Sequence, residues 1–276
     1  LFSMIQYKTE QMTVFESSLF QTTSAVIETK DCVIVVDPTW LPHEINEIKQ
    51  HVQEILNRRN LYVFFTHGDF DHVIGYGAFL ELNATFIGSK FLEHHPDKEE
   101  KVQMIKQFDH DYYIKRSHDI IFPELDIVVT ENEQHITLDE TSITCYFAKG
   151  HTNDGLFMIV DDSIWIAGDY LSDFEYPYIY ESVNDYRDTL ATARHILAKH
   201  QNLTLVPGHG KTTHHRAEIQ RRVEMASSYL DELHAAVKED SKEVLDKLND
   251  KLAFPSDFTA QCHQKNVEIM KRELLL

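Results

Sequence analysis

The sequence predicts a protein of mixed helices and strands, α/β (α+β), in which two β-rich halves are each closed by a helix. The first half opens with short apolar segments at 12–20, 23–29 and 32–36, and these segments are separated by turn residues. The second half has strand-like segments between 120 and 167. Because 276 residues, 42% of them hydrophobic, can bury one sizeable core, we expect one main domain.

Strands and helices alternate through the first half. Residues 41–58 place apolar side chains at helical spacing between charged ones, which predicts an amphipathic helix; these side chains are Ile45, Ile48, Val52 and Ile55. The next predicted elements are a strand at Leu61–Thr66, a helix from His72 past Phe79, and a short strand at 84–88.

The second half begins after a polar, charged stretch at about 90–119, which we interpret as a helical insertion. The elements predicted after it are strands near 125–130 and 142–148, a hairpin of 156–160 and 163–167, a helix at about 184–200 and a strand at 203–206. From His214 onward the pattern is helical, with Asp240 and Glu243 as an expected capping box and Ser256 as an expected N-cap. We therefore divide the chain into a main domain, 1–215, and a helical extension packed on it, 216–276.

The composition argues against several classes of partner. A formal net charge of −19 opposes binding to nucleic acid or anionic lipid. The longest apolar runs fall far short of the roughly 20 residues that span a bilayer, so no membrane association is expected. Three widely spaced cysteines give no disulfide framework, and no secretory signal is visible, so a cytoplasmic location is expected.

One short segment concentrates side chains that bind metals. Thr66-His67-Gly68-Asp69-Phe70-Asp71-His72 offers four such side chains directly after an apolar strand, where a loop can direct them into one cavity. Three later candidates also follow β segments, and a glycine precedes each of them: His151, Asp169 and His209. We expect these glycines to let the backbone approach the metal ions.

The order of these residues resembles the metallo-β-lactamase superfamily, whose His-x-His-x-Asp-His motif is followed by a His, an Asp and a final His. The resemblance covers residues 12 to 215 approximately, and it implies an αββα sandwich of two mixed β-sheets flanked by helices. It also implies that Asp37, after its strand, is a buried structural residue. The family roles would give the first metal His67, Asp69 and His151, the second Asp71, His72 and His209, and a bridging position to Asp169.

The resemblance further implies the chemistry of a binuclear metallohydrolase. Two divalent ions lower the pKa of a water molecule between them and so create a nucleophile at neutral pH. In part of the family the carboxylate at the position of Asp71 also protonates the leaving group, which makes Asp71 the candidate catalytic acid.

The chain departs from the common motif at Asp69, where His is usual. With two divalent ions, three Asp ligands and one hydroxide, the charges of the centre sum to zero, so the hydroxide should be less acidified than in the all-His version. A carboxylate oxygen is also a harder ligand, which brings manganese or iron into question beside zinc, although zinc still has the higher affinity.

The substrate is expected to be a small molecule. An aromatic run after Asp169 could form a pocket wall and favours an ester, lactone, thioester or similar uncharged acyl compound; its members are Tyr170, Phe174, Tyr176, Pro177, Tyr178 and Tyr180. Alternatives that remain open are a di-iron oxidoreductase, a phosphodiesterase and a non-catalytic metal-binding regulator. A homodimer is also possible.

Overall fold

The computed structural model describes residues 4–275, and its strands form two β-sheets. The first sheet has seven strands in sequential order, β1 to β7: Ile5–Lys8, Met12–Glu16, Thr23–Glu28, Cys32–Val36, Asn60–Phe64, Thr85–Ser89 and Ile127–Val129. Neighbours are antiparallel from β1 to β4 and parallel from β4 to β7, so the sheet is mixed.

The second sheet has five strands, in the spatial order β12, β11, β10, β9, β8. In chain order, β8 to β12 are Gln134–Leu138, Thr141–Phe147, Leu156–Val160, Ile164–Ile166 and Thr204–Val206. Strands β8 to β11 pair antiparallel, whereas β12 pairs parallel with β11 because a long helical connection separates the two.

Helices cover the outer faces of both sheets. In chain order, α1 to α9 are Pro42–Ile55, Phe70–Val73, Tyr76–Phe79, Lys90–Glu93, Lys98–Asp111, Val183–Lys199, Arg216–Lys238, Lys242–Asp250 and Asp257–Leu274. No helix within residues 4–275 is both long enough and apolar enough to cross a membrane.

Side-chain alternation in the strands separates three buried apolar layers. Along β4, Ile34 and Val36 point between the two sheets, where they join Met158 and Val206 from the second sheet. The intervening Val33 and Val35 pack under α1 with Ile45, Ile48 and Val52. On the far side, α6, α7 and α9 cover the second sheet through residues such as Leu190, Leu230 and Val267. The chain is therefore the αββα sandwich that the resemblance implied.

Several elements differ from the sequence-based expectations. The helix expected from His72 past Phe79 is interrupted at Gly75, where a Cβ would lie 2.0 Å from the Pro38 carbonyl oxygen, so the chain turns there against the neighbouring loop. In the 90–119 insertion, helical structure ends at Asp111. Strands β1 and β8 were not expected.

The two predicted helix caps had different outcomes. Ser256 accepts a hydrogen bond from the Thr259 amide, which confirms it as the N-cap of α9. The expected capping box of Asp240 and Glu243 was wrong. The N-cap of α8 is Ser241, without a side-chain hydrogen bond, and Asp240 has a φ of 50° just beyond the end of α7.

Candidate metal centre

The structure brings all seven predicted metal-binding residues together. They lie on four segments, and each segment follows the end of a strand. The motif that begins at His67 follows β5, His151 follows β9, Asp169 follows β11 and His209 follows β12. All seven are buried or nearly so, and the ligand atoms of six of them, all but Asp69, form two adjacent groups. The first group is His67, His151 and Asp169, and the second is Asp71, His72 and His209.

Three carboxylates face the histidine Nε2 atoms. In the first group, His151 Nε2 lies 3.3 Å from Asp69 Oδ2 and 3.2 Å from Asp169 Oδ2, and His67 Nε2 lies 3.7 Å from Asp69 Oδ2. In the second, His72 and His209 place Nε2 3.6 Å from the same oxygen of Asp71. Asp69 therefore lies beside His67 and His151 of the first group.

Asp169 lies between the two groups. Its Oδ2 is 3.2 Å from Nε2 of both His151 and His209, and its Oδ1 is 3.0 Å from His72 Nε2. A carboxylate that faces histidines of both groups has the geometry required to bridge two cations.

The Nδ1 atom of each of the four histidines in the centre has a fixed partner. Nδ1 of His151 and His209 lies 2.8 Å and 2.9 Å from the carbonyl oxygens of Tyr178 and Phe20. A carbonyl oxygen can only accept, so Nδ1 carries the proton and Nε2 offers its lone pair to the centre.

The other two histidines are held through Asp37. His72 Nδ1 lies 2.9 Å from Asp37 Oδ2, and that oxygen also accepts a hydrogen bond of 2.6 Å from the Thr66 hydroxyl. The Thr66 oxygen in turn lies 2.9 Å from His67 Nδ1. The buried structural role that the resemblance implied for Asp37 agrees with these contacts.

The burial and the spacing of these ligand atoms fit bound metal ions. Within residues 4–275, Nε2 of His67, His72 and His151 and Oδ1 of Asp169 are buried atoms that make no hydrogen bond, since the 3.0 Å contact between His72 Nε2 and Asp169 Oδ1 lacks hydrogen-bond geometry. Such atoms are rare in folded proteins unless something else satisfies them. Ligands around a tetrahedral zinc ion at about 2.1 Å lie about 3.4 Å apart, which matches the spacings found here.

A third acidic group fails the same test. Asp31, Cys32 and Asp139 also place potential ligand atoms close together. Asp31 Oδ2 accepts hydrogen bonds from the Glu140 and Thr141 amides, and its Oδ1 accepts from the Thr141 hydroxyl. These atoms are already satisfied, so we interpret the group as a structural connection between two turns.

Charges in the centre balance only when positive charge lies among the carboxylates. Burial by itself would lower the pKa of His151 and of His209, but Asp169 and neighbouring carboxylates outweigh it and raise both to about 10. Burial raises the pKa of Asp169, yet His209 and His72 hold it well below its usual range. That positive charge can come from protons on the imidazole rings or from bound metal ions.

A lysine from the insertion completes the surroundings of Asp69. Lys101, on α5, places Nζ 2.6 Å from Asp69 Oδ1, which leaves Oδ2 facing the histidines. Burial lowers the pKa of Lys101, but the Asp69 carboxylate outweighs this and raises it, so the lysine is charged. Sequence reasoning missed Lys101, because it lies in a polar helix remote from the motif.

An asparagine from the last helix fixes the loop that holds His151. Asn266 accepts a hydrogen bond of 2.9 Å from the Ile179 amide and donates one of 2.7 Å to the Pro177 carbonyl. The carbonyl between these two residues, that of Tyr178, is the partner of His151 Nδ1. Sequence reasoning also missed Asn266, which no motif marks.

The centre opens onto a cavity of about 540 Å³. Asp69, Asp71, His151, Asp169 and His209 lie in its wall, and the opposite side is formed by α7, α9 and the segment that joins α8 to α9. Of the aromatic run, five residues line the cavity: Phe174, Tyr176, Pro177, Tyr178 and Tyr180.

Tyr170 does not line the cavity. Its ring is buried in the layer under α6, and its hydroxyl accepts a hydrogen bond of 3.0 Å from the His151 amide and donates one of 2.6 Å to the Lys149 carbonyl. It therefore supports the loop that carries His151 instead of contacting a substrate.

The sequence profile of the metallo-beta-lactamase superfamily matches residues 18–209, so the chain belongs to this superfamily. A search of curated proteins finds no match. The matched residues include all seven members of the centre, whereas α7 to α9 lie beyond them.

Solved structures share the fold. A metallo-beta-lactamase family protein from Thermus thermophilus has a TM-score of 0.67 and 15% identity, over 96% of this chain and 94% of that one. A metallo-beta-lactamase superfamily protein from Sulfolobus tokodaii has a TM-score of 0.58 and 15% identity, over 97% and 99%.

The sec-alkylsulfatase Pisa1 from Pseudomonas sp. has a TM-score of 0.67 and 9% identity, over 99% of this chain but 50% of that one. The chain thus spans half the length of the alkylsulfatase that it matches. At these identities the similarity concerns the fold alone.

Proposed function

We propose that the protein is a binuclear metallohydrolase that cleaves a small ester, lactone, thioester or related acyl compound. One observation carries this proposal: four histidine Nε2 atoms and three carboxylates converge, with buried unsatisfied ligand atoms, at the wall of a substrate-sized cavity. Membership of the metallo-beta-lactamase superfamily is consistent with this reaction class.

The residues divide between two metal sites. We assign His67, Asp69 and His151 to the first ion, Asp71, His72 and His209 to the second, and Asp169 to both. When bound, two divalent ions supply an activated water or hydroxide and polarise the bond under attack. Zinc is the ion we expect, with manganese or iron as the alternatives that Asp69 leaves open.

We propose that Asp71, ionised at rest, takes up the proton that the attacking water releases and passes it to the leaving group. Its carboxylate lies in the cavity wall, 3.6 Å from Nε2 of His72 and of His209, so it can contact both a metal ion and a substrate atom. Thr39 and Thr22 hold it in place: the Thr39 hydroxyl bonds to its backbone carbonyl, and the Thr22 hydroxyl lies 3.5 Å from its Oδ2.

The composition of the cavity favours a carboxylic acyl compound over an anionic phosphodiester. Aromatic and aliphatic side chains form most of its wall. The arginine that reaches it, Arg222, is engaged by Glu218 and by the carbonyls of Leu171 and Lys211, so it does not offer an anion site. A phosphate would therefore find no free guanidinium in the described wall.

The test is a substrate panel on protein of known metal content. Carboxylic esters, lactones, thioesters, phosphodiesters and an alkyl sulfate are assayed with the wild type, with Asp71→Asn, and with Asp97→Asn as a matched surface control. We expect acyl hydrolysis that is lost on chelation and reduced about 100-fold or more in Asp71→Asn. Full turnover by a metal-loaded Asp71→Asn variant would contradict the role of Asp71.

Other outcomes of the panel distinguish the remaining functions. Activity confined to phosphodiesters would contradict the acyl specificity. Bound iron with oxygen consumption would indicate an oxidoreductase, and tight metal binding without any turnover would indicate a regulator.

We further propose a cytoplasmic location and a small-molecule substrate, without a nucleic-acid or membrane partner. The three free cysteines, all buried, and the net charge of −19 support this. We also propose a homodimer, which sedimentation of the purified protein tests.

A further inference from the structure

One carboxylate in the described cavity wall makes neither a hydrogen bond nor an ion pair. Glu175 lines the cavity, and within residues 4–275 its side chain makes neither a hydrogen bond nor an ion pair. The other charged groups of the wall are accounted for, since they belong to the metal centre or, like Arg222, are paired. His263 is held by the Tyr229 hydroxyl at 3.0 Å, and burial lowers its pKa, so it is neutral.

The backbone at Glu175 and just before it is fixed by three hydrogen bonds. Its amide donates a hydrogen bond of 3.1 Å to the Ser172 hydroxyl. Asp173 accepts one of 2.7 Å from the Lys211 amide, and Arg222 donates one of 3.1 Å to the Leu171 carbonyl. A loop fastened this firmly holds a single unpaired carboxylate in place, which is the arrangement expected of a binding group.

Aromatic rings line the same cavity as Glu175. Phe174 and Tyr176 flank Glu175 in the sequence, and both line the wall. Phe174 packs edge-on against Phe254 with ring centroids 5.4 Å apart, and Tyr178 lies 6.1 Å from Phe258. Ring faces attract organic cations, and a carboxylate beside them adds a direct charge.

A cation would relieve the isolation of this carboxylate. Burial raises the pKa of Glu175 to about 7, because an ionised carboxylate is poorly solvated in this wall; His209 lowers this pKa, whereas Asp169 and Asp71 raise it. Buried charges in proteins are normally paired. The net charge of −19 also attracts cations to the molecule.

We propose that the cavity binds an organic ammonium group, held between the Glu175 carboxylate and the aromatic rings, so that the substrate carries such a group beside its scissile bond. The statement about the substrate rests on the proposed hydrolytic function, whereas binding of the ammonium group does not. A lysine-like or quaternary ammonium group fits this description, and a carboxylate or phosphate does not.

The experiment compares choline with its neutral isostere 3,3-dimethyl-1-butanol. Calorimetric titration of the metal-loaded protein measures both affinities without any turnover. We expect choline to bind about tenfold more tightly than the neutral alcohol. In Glu175→Gln this preference should disappear, with the affinity for the alcohol unchanged, while the exposed control Glu47→Gln should behave as the wild type.

Two results would overturn the inference. Equal or undetectable affinities of the wild type for the two probes would do so, even if Glu175→Gln failed to fold. An equal loss for both probes in Glu175→Gln would show a structural role instead. Absence of hydrolysis on every substrate would refute the proposed function but leave the binding preference standing.

Discussion

Replacing Asn266 by leucine should weaken both the fold and one metal site. Asn266 is 2% exposed and makes three hydrogen bonds: to the Ile179 amide, the Pro177 carbonyl and the Tyr229 hydroxyl. Leucine makes none of them, so two buried backbone groups lose their partners. Each such group costs about 1–3 kcal/mol, and the free energy of unfolding should therefore fall by about 2–6 kcal/mol.

The effect on metal binding follows from the position of Tyr178. Its carbonyl holds His151 Nδ1, and it lies between the two backbone groups that Asn266 fixes. Loss of a comparable outer contact weakens metal binding about 10–100-fold. The ion that we assign to His67, Asp69 and His151 should be affected, and the ion on the His72 side should be retained.

Two assays separate these effects. Urea unfolding of the metal-free protein gives the change in stability, and competition with a chelator gives the two metal affinities. Gln261→Leu, an exposed amide on the same helix, is the control and should change neither. A folded Asn266→Leu variant with unchanged affinity for both ions would refute the coupling between α9 and the metal centre.

Three further predictions concern other parts of the molecule. Lys101→Met should lower kcat of the metal-loaded enzyme about tenfold, because it removes the cation that is 2.6 Å from Asp69, while Lys106→Met on the exposed face of α5 should not. Gly208→Ala should weaken both ions in a chelator competition, because the new Cβ would lie 2.4 Å from Asp169 Oδ1; unchanged affinity would contradict the bridging role. Burial raises the pKa of the Cys145 thiol to about 12, so Cys145 should not react with a thiol reagent at pH 8 before unfolding and should react after it, as peptide mass spectrometry would show.

The metal centre was predictable because its residues are grouped along the chain. Four of them lie within six positions, and the others follow strand ends that apolar segments reveal. Loops at strand ends carry side chains to a common place, so a local pattern was enough to bring His67, His151 and His209 together.

The surroundings of the centre were not predictable in the same way. Lys101 contacts Asp69, which is 32 residues away in the sequence, and Asn266 contacts Ile179, which is 87 residues away. Contacts between such distant positions produce no periodic pattern in the sequence. The charge count made from the sequence was therefore incomplete. Lys101 adds one positive charge beside Asp69, so the two together resemble the neutral histidine that is usual at this position.

Expectations about local structure were wrong where tertiary packing overrode the pattern. Gly75 interrupts an apparently continuous helix because the chain passes close to the backbone at Pro38. The glycines before the metal-binding residues also have different reasons. Gly208 makes room for Asp169, whereas Gly150, with a φ of 115°, makes room for the backbone of Tyr186 on α6.

Anomalous diffraction from crystals of the zinc-loaded protein would show whether two ions occupy this centre. We expect two peaks, one within reach of His67 and His151 and the other within reach of His72 and His209, with Asp169 touching both. A single peak, or zinc bound only elsewhere on the chain, would rule out a binuclear centre.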